Sequence, residues 1–218
     1  MPIRAFIFDL DGVLTDTAEY HYQAWRQLAE EEGIPFDRER NEALRGVSRR
    51  ESLNLLLDGR TISEEQALRW MERKNSYYLD KIRQMAPDEV LSGARQLLAD
   101  IRAAGLMVAI ASASKNAGEV ARRLGLLGAV DVLADGHSVR RTKPAPDLFL
   151  YTAEKLGVPA ETCVVVEDAA AGIEAAQRAG MLTIGIGPKE RVGKAGLVLP
   201  NLEGVQVEDL LRKLGGGK

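Results

Sequence analysis

The chain of 218 residues lacks several features that would each point to a particular class of protein. It has one cysteine, Cys163, so no disulfide can form within the chain and we expect that thiol to be a small buried side chain. Its apolar runs are far shorter than the roughly 20 residues of a membrane-spanning helix, and no cleavable apolar segment follows Met1. We therefore expect a cytoplasmic protein with no membrane partner.

Neither sign of charge dominates the sequence. The 29 lysine and arginine residues oppose 32 aspartate and glutamate residues, which gives a net charge of −3, and both signs are scattered along the chain. Surfaces that track nucleic-acid phosphates normally show a basic excess or stripe, so no nucleic-acid partner is expected. Hydrophobic residues make up 45% of the chain, which is enough for one large or two modest domains.

The most informative segment lies near the start of the chain. An apolar run over residues 5–8 leads into two carboxylates, Asp9 and Asp11, and ends at Gly12. Such a run is typical of a strand buried on both faces of a parallel sheet. Carboxylates at the end of that strand, next to a glycine that lets the backbone turn, lie where open α/β sheets bind ligands. A solvated strand end accounts for one aspartate better than for two, so the pair indicates a functional site.

A long helical region follows the first predicted strand. No strand signal interrupts residues 18–86, and the apolar spacing predicts four helices with Ser63 as the N-cap of the last. These helices cover residues 17–32, 39–44, 50–57 and 63–85.

From residue 87 onward, short apolar runs alternate with helical segments. The predicted strands cover residues 106–111, 130–134, 163–166 and 182–186. The predicted helices cover residues 94–104, 117–124, 147–156 and 171–179. No element is predicted beyond residue 187.

This order of elements predicts an α/β fold, in which a Rossmann-like parallel-sheet core carries an all-helical cap domain inserted after the first strand. We expect a discontinuous core of residues 1–15 and 88–218 and a cap of residues 16–87. Residues 15–17 and 86–88 are predicted to form a paired linker, which is a natural hinge.

Three further polar groups follow predicted strands of the core. Ser112 opens a run of hydroxyls and a lysine at a helix start, a combination that can hold an anion, although a helix cap alone explains one of these residues. Lys143 is held in place by the prolines that follow it. Glu167 and Asp168 end the strand at residues 163–166, as Asp9 and Asp11 end the first.

Together these groups predict a reaction class. Four carboxylates at one sheet edge repel one another unless a cation lies among them, and a set of oxygen ligands favours Mg²⁺. A metal-bound aspartate, a second aspartate, an anion site and a fixed lysine suit phosphoryl transfer through an aspartyl-phosphate. Asp11 would then serve as general acid and general base in turn.

The motifs resemble the four signature motifs of the haloacid dehalogenase-like phosphotransferases, and the helical insertion resembles that of the β-phosphoglucomutase family. The core resemblance rests on residues 9–13, Ser112, residues 143–144 and residues 167–168. The more particular resemblance rests on residues 15–21, Trp25, residues 46–49, Ser52, residues 74–75 and residues 112–116.

The resemblance implies a role for each matching residue. The catalytic pair is Asp9 and Asp11. The implied metal ligands are Asp9, the main-chain carbonyl of Asp11, Glu167 and Asp168. The implied phosphate ligands are Ser112, Ala113 and Lys143 at the transferring site, and Arg49, Ser114, Lys115 and Asn116 at a second site. The implied substrate contacts are Thr17 and His21, which would couple cap closure to Asp11, and Trp25, Gly46, Val47, Ser52 and Lys74, which would face the sugar.

The position of Arg49 at a predicted helix start independently favours an anion site, because a cation there opposes the helix dipole. Lys74 lies in a charged run, where a solvated helix face is the simpler interpretation. His21 and Trp25 could equally belong to an ordinary helix packing face. The segment from Asp135 to His137 and the basic pair Arg140 and Arg141 depart from the family pattern, and no role is implied for them.

The implied activity is the interconversion of β-D-glucose 1-phosphate and β-D-glucose 6-phosphate, with Mg²⁺ as cofactor and β-glucose 1,6-bisphosphate as activator and intermediate. The partner would be a small phosphosugar, and a monomer suffices. A Mg²⁺-dependent sugar-phosphate phosphatase on the same fold is the nearest alternative. A dehalogenase fits less well because it needs neither Mg²⁺ nor Asp11. A catalytically silent sugar-phosphate sensor would be free to lose Asp9 or Lys143, and this chain keeps both.

Overall fold

The structure, a computed structural model, describes residues 2–215. Its centre is a six-stranded parallel sheet with the order β3-β2-β1-β4-β5-β6. The strands are β1 (Ala5–Phe8), β2 (Met107–Ala111), β3 (Val132–Ala134), β4 (Cys163–Glu167), β5 (Leu182–Ile186) and β6 (Leu197–Leu199). Within the sheet, Phe8 of β1 pairs with Ile110 of β2 on one side and with Val166 of β4 on the other. The strand order reverses between β1 and β4, and ligands bind at such a switch point, beyond the carboxyl ends of the strands.

The helices of the described residues fall into two groups. The first group lies between β1 and β2 and comprises α1 (Thr17–Glu31), α2 (Arg38–Glu42), α3 (Arg49–Leu57) and α4 (Glu64–Ile82). The second group lies among or after the remaining strands and comprises α5 (Ala94–Ala103), α6 (Ala117–Arg123), α7 (Asp147–Leu156), α8 (Ala170–Arg178), α9 (Lys189–Val192) and α10 (Val207–Gly215). No helix within residues 2–215 combines the length and apolar character needed to cross a membrane.

The sheet is buried on both faces because its strand residues alternate between two hydrophobic clusters. Phe6 and Phe8 of β1 belong to the cluster that also contains apolar residues of α5, α6 and α10. Ala5 and Ile7 belong to the opposite cluster, with residues of α7 and α8. Because helices pack on both faces, the strands cannot shift relative to one another, and the residues at the strand ends keep fixed positions.

The helical region between β1 and β2 has a hydrophobic cluster of its own. Trp25 of α1, Leu53 of α3 and Trp70 of α4 pack together in it. The Ser63 hydroxyl accepts a hydrogen bond from the Gln66 amide at 3.2 Å, so the predicted N-cap of α4 is confirmed.

The predicted α/β fold with a parallel sheet and inserted helices is confirmed, and most element bounds agree within a few residues. β6, α9 and α10 were not predicted. β6 has three residues, all only half-buried, and so gives no apolar run that differs from a loop. The last helix of the insertion ends at Ile82, three residues before the predicted end, and β3 begins two residues after the predicted start.

Two connections join the helical region to the sheet, and they lie side by side. Thr15 forms an antiparallel bridge with Val90, and the Leu91 amide donates to the Leu14 carbonyl at 2.9 Å. Residues 86–88, the predicted second linker, lie in the second connection and lead into a short 3-10 turn (Pro87–Glu89) just before the bridge. The division into cap and core stays a prediction, and residues 1 and 216–218 of the predicted core lie outside the described residues.

Candidate active site

The carboxyl ends of the central strands bring the predicted motifs together. Asp9 follows β1, Ser112 follows β2, and Glu167 ends β4 with Asp168 directly after it. After β1 the backbone turns at Gly12, where φ is +83°. A Cβ added at Gly12 would lie 2.3 Å from the Asp168 carboxylate. Glycine is therefore required at this turn, both for its positive φ and for the close approach of the acid.

Lys143 lies at the centre of this group. Its ammonium donates to Asp9 Oδ1 at 2.5 Å, to Glu167 Oε2 at 3.0 Å and to the Ala111 carbonyl at 3.1 Å, and its side chain is completely buried. Burial alone would lower the pKa of Lys143, but the charges of Asp9 and Glu167 raise it above its usual value. The lysine therefore stays charged and holds both carboxylates in place.

Asp9, Glu167 and Asp168 could hold a metal ion. All three are buried, and one carboxylate oxygen of each lies within 4.8 Å of the others. Burial and the charge of Asp9 raise the pKa of Glu167 well above its usual value and the pKa of Asp168 to about 7. The three buried carboxylates offer a donor set made only of oxygen atoms, which fits a hard divalent cation such as Mg²⁺.

Asp11 lies beside this cluster with a different set of neighbours. The Thr17 hydroxyl donates to Asp11 Oδ1, the Ser112 hydroxyl lies 3.4 Å from Oδ2, and His21 Nε2 lies 3.9 Å from Oδ1. Burial and the charge of Asp9 raise the pKa of Asp11 to about 6. A carboxyl with that pKa can both donate and accept a proton near neutral pH.

Side chains from the helical region close the site from the other side. Lys74 of α4 is 1% exposed, and its ammonium lies 2.7 Å from His21 Nδ1 and 5.0 Å from the centre of the Trp25 ring. His21 stacks on Tyr78 with the ring centres 4.1 Å apart. The solvated interpretation of Lys74 is therefore wrong, while Trp25 belongs to the helical hydrophobic cluster and to the cleft wall at once.

A second polar group bridges the helical region and the sheet. The Asn75 side-chain oxygen accepts from Arg49 Nη2 at 2.6 Å and from Asn116 Nδ2 at 2.9 Å. Arg49 makes no ion pair with any carboxylate of residues 2–215, and Lys115 and Ser114 line the same cleft as Arg49. Cations without a protein counter-charge at a cleft wall are suited to hold an anionic ligand.

These groups surround one cleft of about 1120 Å³. It is lined by most of the residues that the sequence singled out: Asp9, Asp11, His21, Trp25, Gly46, Val47, Arg49, Ser52, Lys74, Ala113, Ser114, Lys115, Lys143 and Asp168. The other four residues that the sequence predicted for the site do not line the cleft: Thr17, Ser112, Asn116 and Glu167. Each of the four instead contacts a residue that does, namely Asp11, Asn75 or Lys143.

Other side chains at the site were missed by sequence reasoning. Arg45 lies 3.1 Å from the Asp168 carboxylate, and Arg191 donates to the Asp168 carbonyl at 2.6 Å. Neither arginine stands in a recognisable motif, so only the folded chain shows their role. The unassigned segment of His137, Arg140 and Arg141 also reaches the cleft wall.

The burial of Lys74 leads to a prediction about stability. Burial and the nearby charge of Arg49 lower the pKa of Lys74 well below its usual value, so the unfolded chain binds this proton more tightly than the folded chain does. The penalty on the free energy of unfolding is therefore full at pH values below the lowered pKa of the folded state. It shrinks as the pH rises from there and is gone above the ordinary lysine pKa, near ~10.4. We expect Lys74→Met to raise the free energy of unfolding by about 1 kcal/mol at neutral pH.

Denaturant unfolding at several pH values measures this effect. The gain should shrink toward pH ~10, and Lys213→Met, which removes an exposed lysine of α10, should change little at any pH. Equal effects for both variants would show that burial of Lys74 does not destabilise the fold.

Comparison with known proteins finds a matching family and relatives that cover nearly the whole chain. Residues 3–180 match the model of the haloacid dehalogenase-like hydrolases. The chain is 40% identical to a β-phosphoglucomutase of Bacillus subtilis over 212 residues, which are 94% of this chain and 93% of that protein. It is 32% identical to a phosphorylated carbohydrates phosphatase of Thermotoga maritima, over 97% of this chain and 98% of that one. A crystal structure of β-phosphoglucomutase from Clostridium difficile superposes with a TM-score of 0.94 at 41% identity, over 98% of each chain.

Proposed function

The chain belongs to the haloacid dehalogenase-like hydrolases, and from this premise we propose that it is a phosphomutase that interconverts β-D-glucose 1-phosphate and β-D-glucose 6-phosphate. The observation that carries this proposal is that Asp9 and Asp11 share one cleft with two groups of anion-binding side chains. Lys143 lies with Asp9, whereas Arg49 lies with Asn75 and pairs with no carboxylate in the described part of the chain. A substrate that carries phosphate at either end needs both groups. The relatives named β-phosphoglucomutase support the same activity.

In the proposed reaction, an Asp9 carboxylate oxygen attacks the phosphorus of a sugar phosphate. A bond from Asp9 to phosphorus forms while the bond from phosphorus to the sugar oxygen breaks, and Asp11 gives its proton to that oxygen. In the reverse transfer, a sugar hydroxyl attacks the aspartyl-phosphate and Asp11 takes the hydroxyl proton. Exchange starts from β-glucose 1,6-bisphosphate, which phosphorylates Asp9 and is re-formed in each cycle as the intermediate.

Each remaining core residue has a proposed part in this transfer. Lys143 offsets the negative charge of Asp9 and of the transferring phosphoryl oxygens. Ser112 and Ala113 bind those oxygens at the end of β2. Asp9, Glu167, Asp168 and the Asp11 carbonyl would hold Mg²⁺, which would supply positive charge to offset the negative charge of the transferring phosphoryl group.

The second phosphate site is proposed to consist of Arg49, Ser114, Lys115 and Asn116. The hydrogen bonds of Asn75 support it, because they join Arg49 of α3 to Asn116 at the start of α6. The site is therefore complete only when the helical region lies on the sheet.

Cap residues are proposed to orient Asp11 and the sugar. Thr17 donates to Asp11 and His21 lies beside the same oxygen, so both can fix the direction of the carboxyl. The residues proposed to face the sugar are Trp25, Gly46, Val47, Ser52 and Lys74, all of which line the cleft. Closure of this wall would exclude water, which a mutase must do to avoid hydrolysis of its phosphoenzyme.

Gly46 offers a test of this wall. Its φ is +73°, and an added Cβ would lie 2.8 Å from the Ala169 Cβ. We expect Gly46→Ala to displace the loop and to lower kcat/KM for β-glucose 1-phosphate by about tenfold or more, because small misplacements at an active site are costly. Steady-state kinetics measure this loss.

Gly33→Ala is the matched control. Gly33 has a φ of +61° but nothing within 4 Å of an added Cβ, so it imposes similar backbone strain without the contact. Equal kinetics for the two variants would show that the loop contact has no part in turnover.

A coupled assay tests the proposed activity. The α- and β-anomers of glucose 1-phosphate are supplied separately, each with and without Mg²⁺ and the bisphosphate, and glucose 6-phosphate and inorganic phosphate are both measured. We expect glucose 6-phosphate from the β-anomer alone, dependent on Mg²⁺ and stimulated by the bisphosphate. Release of inorganic phosphate without isomerisation would overturn the proposal.

That outcome would identify the second candidate, a Mg²⁺-dependent sugar-phosphate phosphatase. The relative from Thermotoga maritima favours it, since it covers almost the whole chain and is named a phosphatase. Asp9 and Asp11 would serve both reactions, with water in place of the sugar hydroxyl.

We further propose that the enzyme acts in the cytoplasm as a monomer on a small phosphosugar, without nucleic acid or membrane. Every group of the proposed site comes from one chain, and the net charge of −3 offers no basic excess for a polyanion.

A further inference from the structure

Arg45 connects the helical region to the metal-binding carboxylates. It lies between α2 and α3, and its Nη1 is 3.1 Å from Oδ2 of Asp168, an acid that is 3% exposed. An ion pair to so buried a carboxylate is more than a surface contact, because the acid has little water to replace the arginine.

The Arg45 side chain belongs to a network of ion pairs with Glu42, Arg191 and Asp168. Glu42 Oε1 accepts from Arg45 Nε at 3.1 Å, and Glu42 Oε2 lies 3.5 Å from Arg191 Nη1. Arg191 of α9 in turn donates to the Asp168 carbonyl at 2.6 Å, and its Nη2 lies 3.8 Å from the Asp168 carboxylate. Two arginines therefore face one acid, and Glu42 aligns both of them.

The position of Arg45 depends on the loop contact described above. Gly46, the next residue, approaches Ala169, the residue after Asp168. Arg45 therefore reaches Asp168 only while this loop lies on the sheet edge.

Asp168 is also one of the three carboxylates that can hold a divalent cation. A guanidinium and a metal ion that share one carboxylate repel each other and divide its negative charge. When two ligands of one group oppose each other in this way, each weakens the other by the same factor.

We propose that Arg45 is a positioning residue that couples the helical region to the metal site: its ion pair with Asp168 opposes Mg²⁺ binding while the loop lies on the sheet. Mg²⁺ binding correspondingly weakens the ion pair between Arg45 and Asp168, and with it the contact between the loop and the sheet edge. This inference rests on the Mg²⁺ site of the proposed function.

Isothermal titration of Mg²⁺ into the full chain, without sugar, tests it. We expect Arg45→Met and Arg45→Gln to bind Mg²⁺ about fivefold or more tightly than the unsubstituted chain. Arg45→Lys keeps the charge and should restore the original affinity to within about twofold. Arg38→Met is the matched control, because it removes a cap arginine that pairs with Glu19 away from the cleft, and it should leave the affinity unchanged.

Small-angle scattering gives a second measurement. The radius of gyration should increase with Mg²⁺ in the unsubstituted chain and change less in Arg45→Met. Weaker or unchanged Mg²⁺ binding by both Arg45→Met and Arg45→Gln would overturn this inference and leave the proposed function standing. Failure of the unsubstituted chain to bind Mg²⁺ would instead count against the metal of the proposed function.

Discussion

Replacement of Asp9 by asparagine should lower kcat by roughly 10⁴-fold or more, as loss of a covalent nucleophile does in other enzymes. The amide keeps the size of the side chain, and its oxygen can still accept from Lys143, so the loss would report chemistry and not collapse of the site. The coupled assay measures turnover. Mass spectrometry of the intact protein after exposure to the bisphosphate measures phosphorylation, and we expect Asp9→Asn to gain no phosphoryl group.

Asp16→Asn is the control for this experiment. Asp16 is exposed just before α1, and no hydrogen bond of its side chain caps that helix, so its loss should leave both turnover and phosphorylation intact. A phosphorylated Asp9→Asn protein, or one that retains a tenth of the original kcat, would show that another residue is the nucleophile.

The second large effect is expected for Asp11→Asn. Loss of a positioned general acid and base typically lowers turnover by about 10²–10⁴-fold, and asparagine can neither donate nor accept the proton that the sugar oxygen exchanges. Thr17 can still donate to the amide oxygen, so the side chain should keep its direction. We therefore expect a large fall in kcat with little change in KM.

Mg²⁺ affinity separates this effect from damage to the metal site. The proposed Mg²⁺ ligand at this residue is the main-chain carbonyl, which the substitution leaves in place, so calorimetry should show an affinity close to that of the unsubstituted chain. A strong loss of Mg²⁺ binding would mean that the Asp11 carboxylate itself ligates the ion. A kcat within tenfold of the original would contradict its role in proton transfer.

The sequence predicts the core of this site well because its signals are local. An apolar run that ends in an acid predicts both a buried strand and a polar strand end, as at Asp9 and Glu167. Parallel pairing then brings these ends to one edge of the sheet without any knowledge of side-chain packing. Strand and motif therefore support each other, and the residues placed in this way meet in the structure.

Other features depend on contacts that no local pattern encodes. Lys74 lies between an arginine and an asparagine in a polar run, and only the packing of α1 against α4 shows that it is buried. The contact between Arg45 and Asp168 joins residues 123 positions apart. β6 and α10 follow the last recognisable motif, and β6 is too short to be distinguished by its apolar content.

The central place of β1 has a consequence for synthesis of the chain. Phe8 pairs with Ile110 on one side and with Val166 on the other. During synthesis β1 is therefore made first and stays unpaired until β2, from the middle of the chain, and β4, from its second half, have been made. Contacts this distant in sequence form slowly, and an unpaired apolar strand invites aggregation. We expect nascent chains that end before β4 to depend on chaperones, and chains that extend beyond it to reach a protease-resistant state.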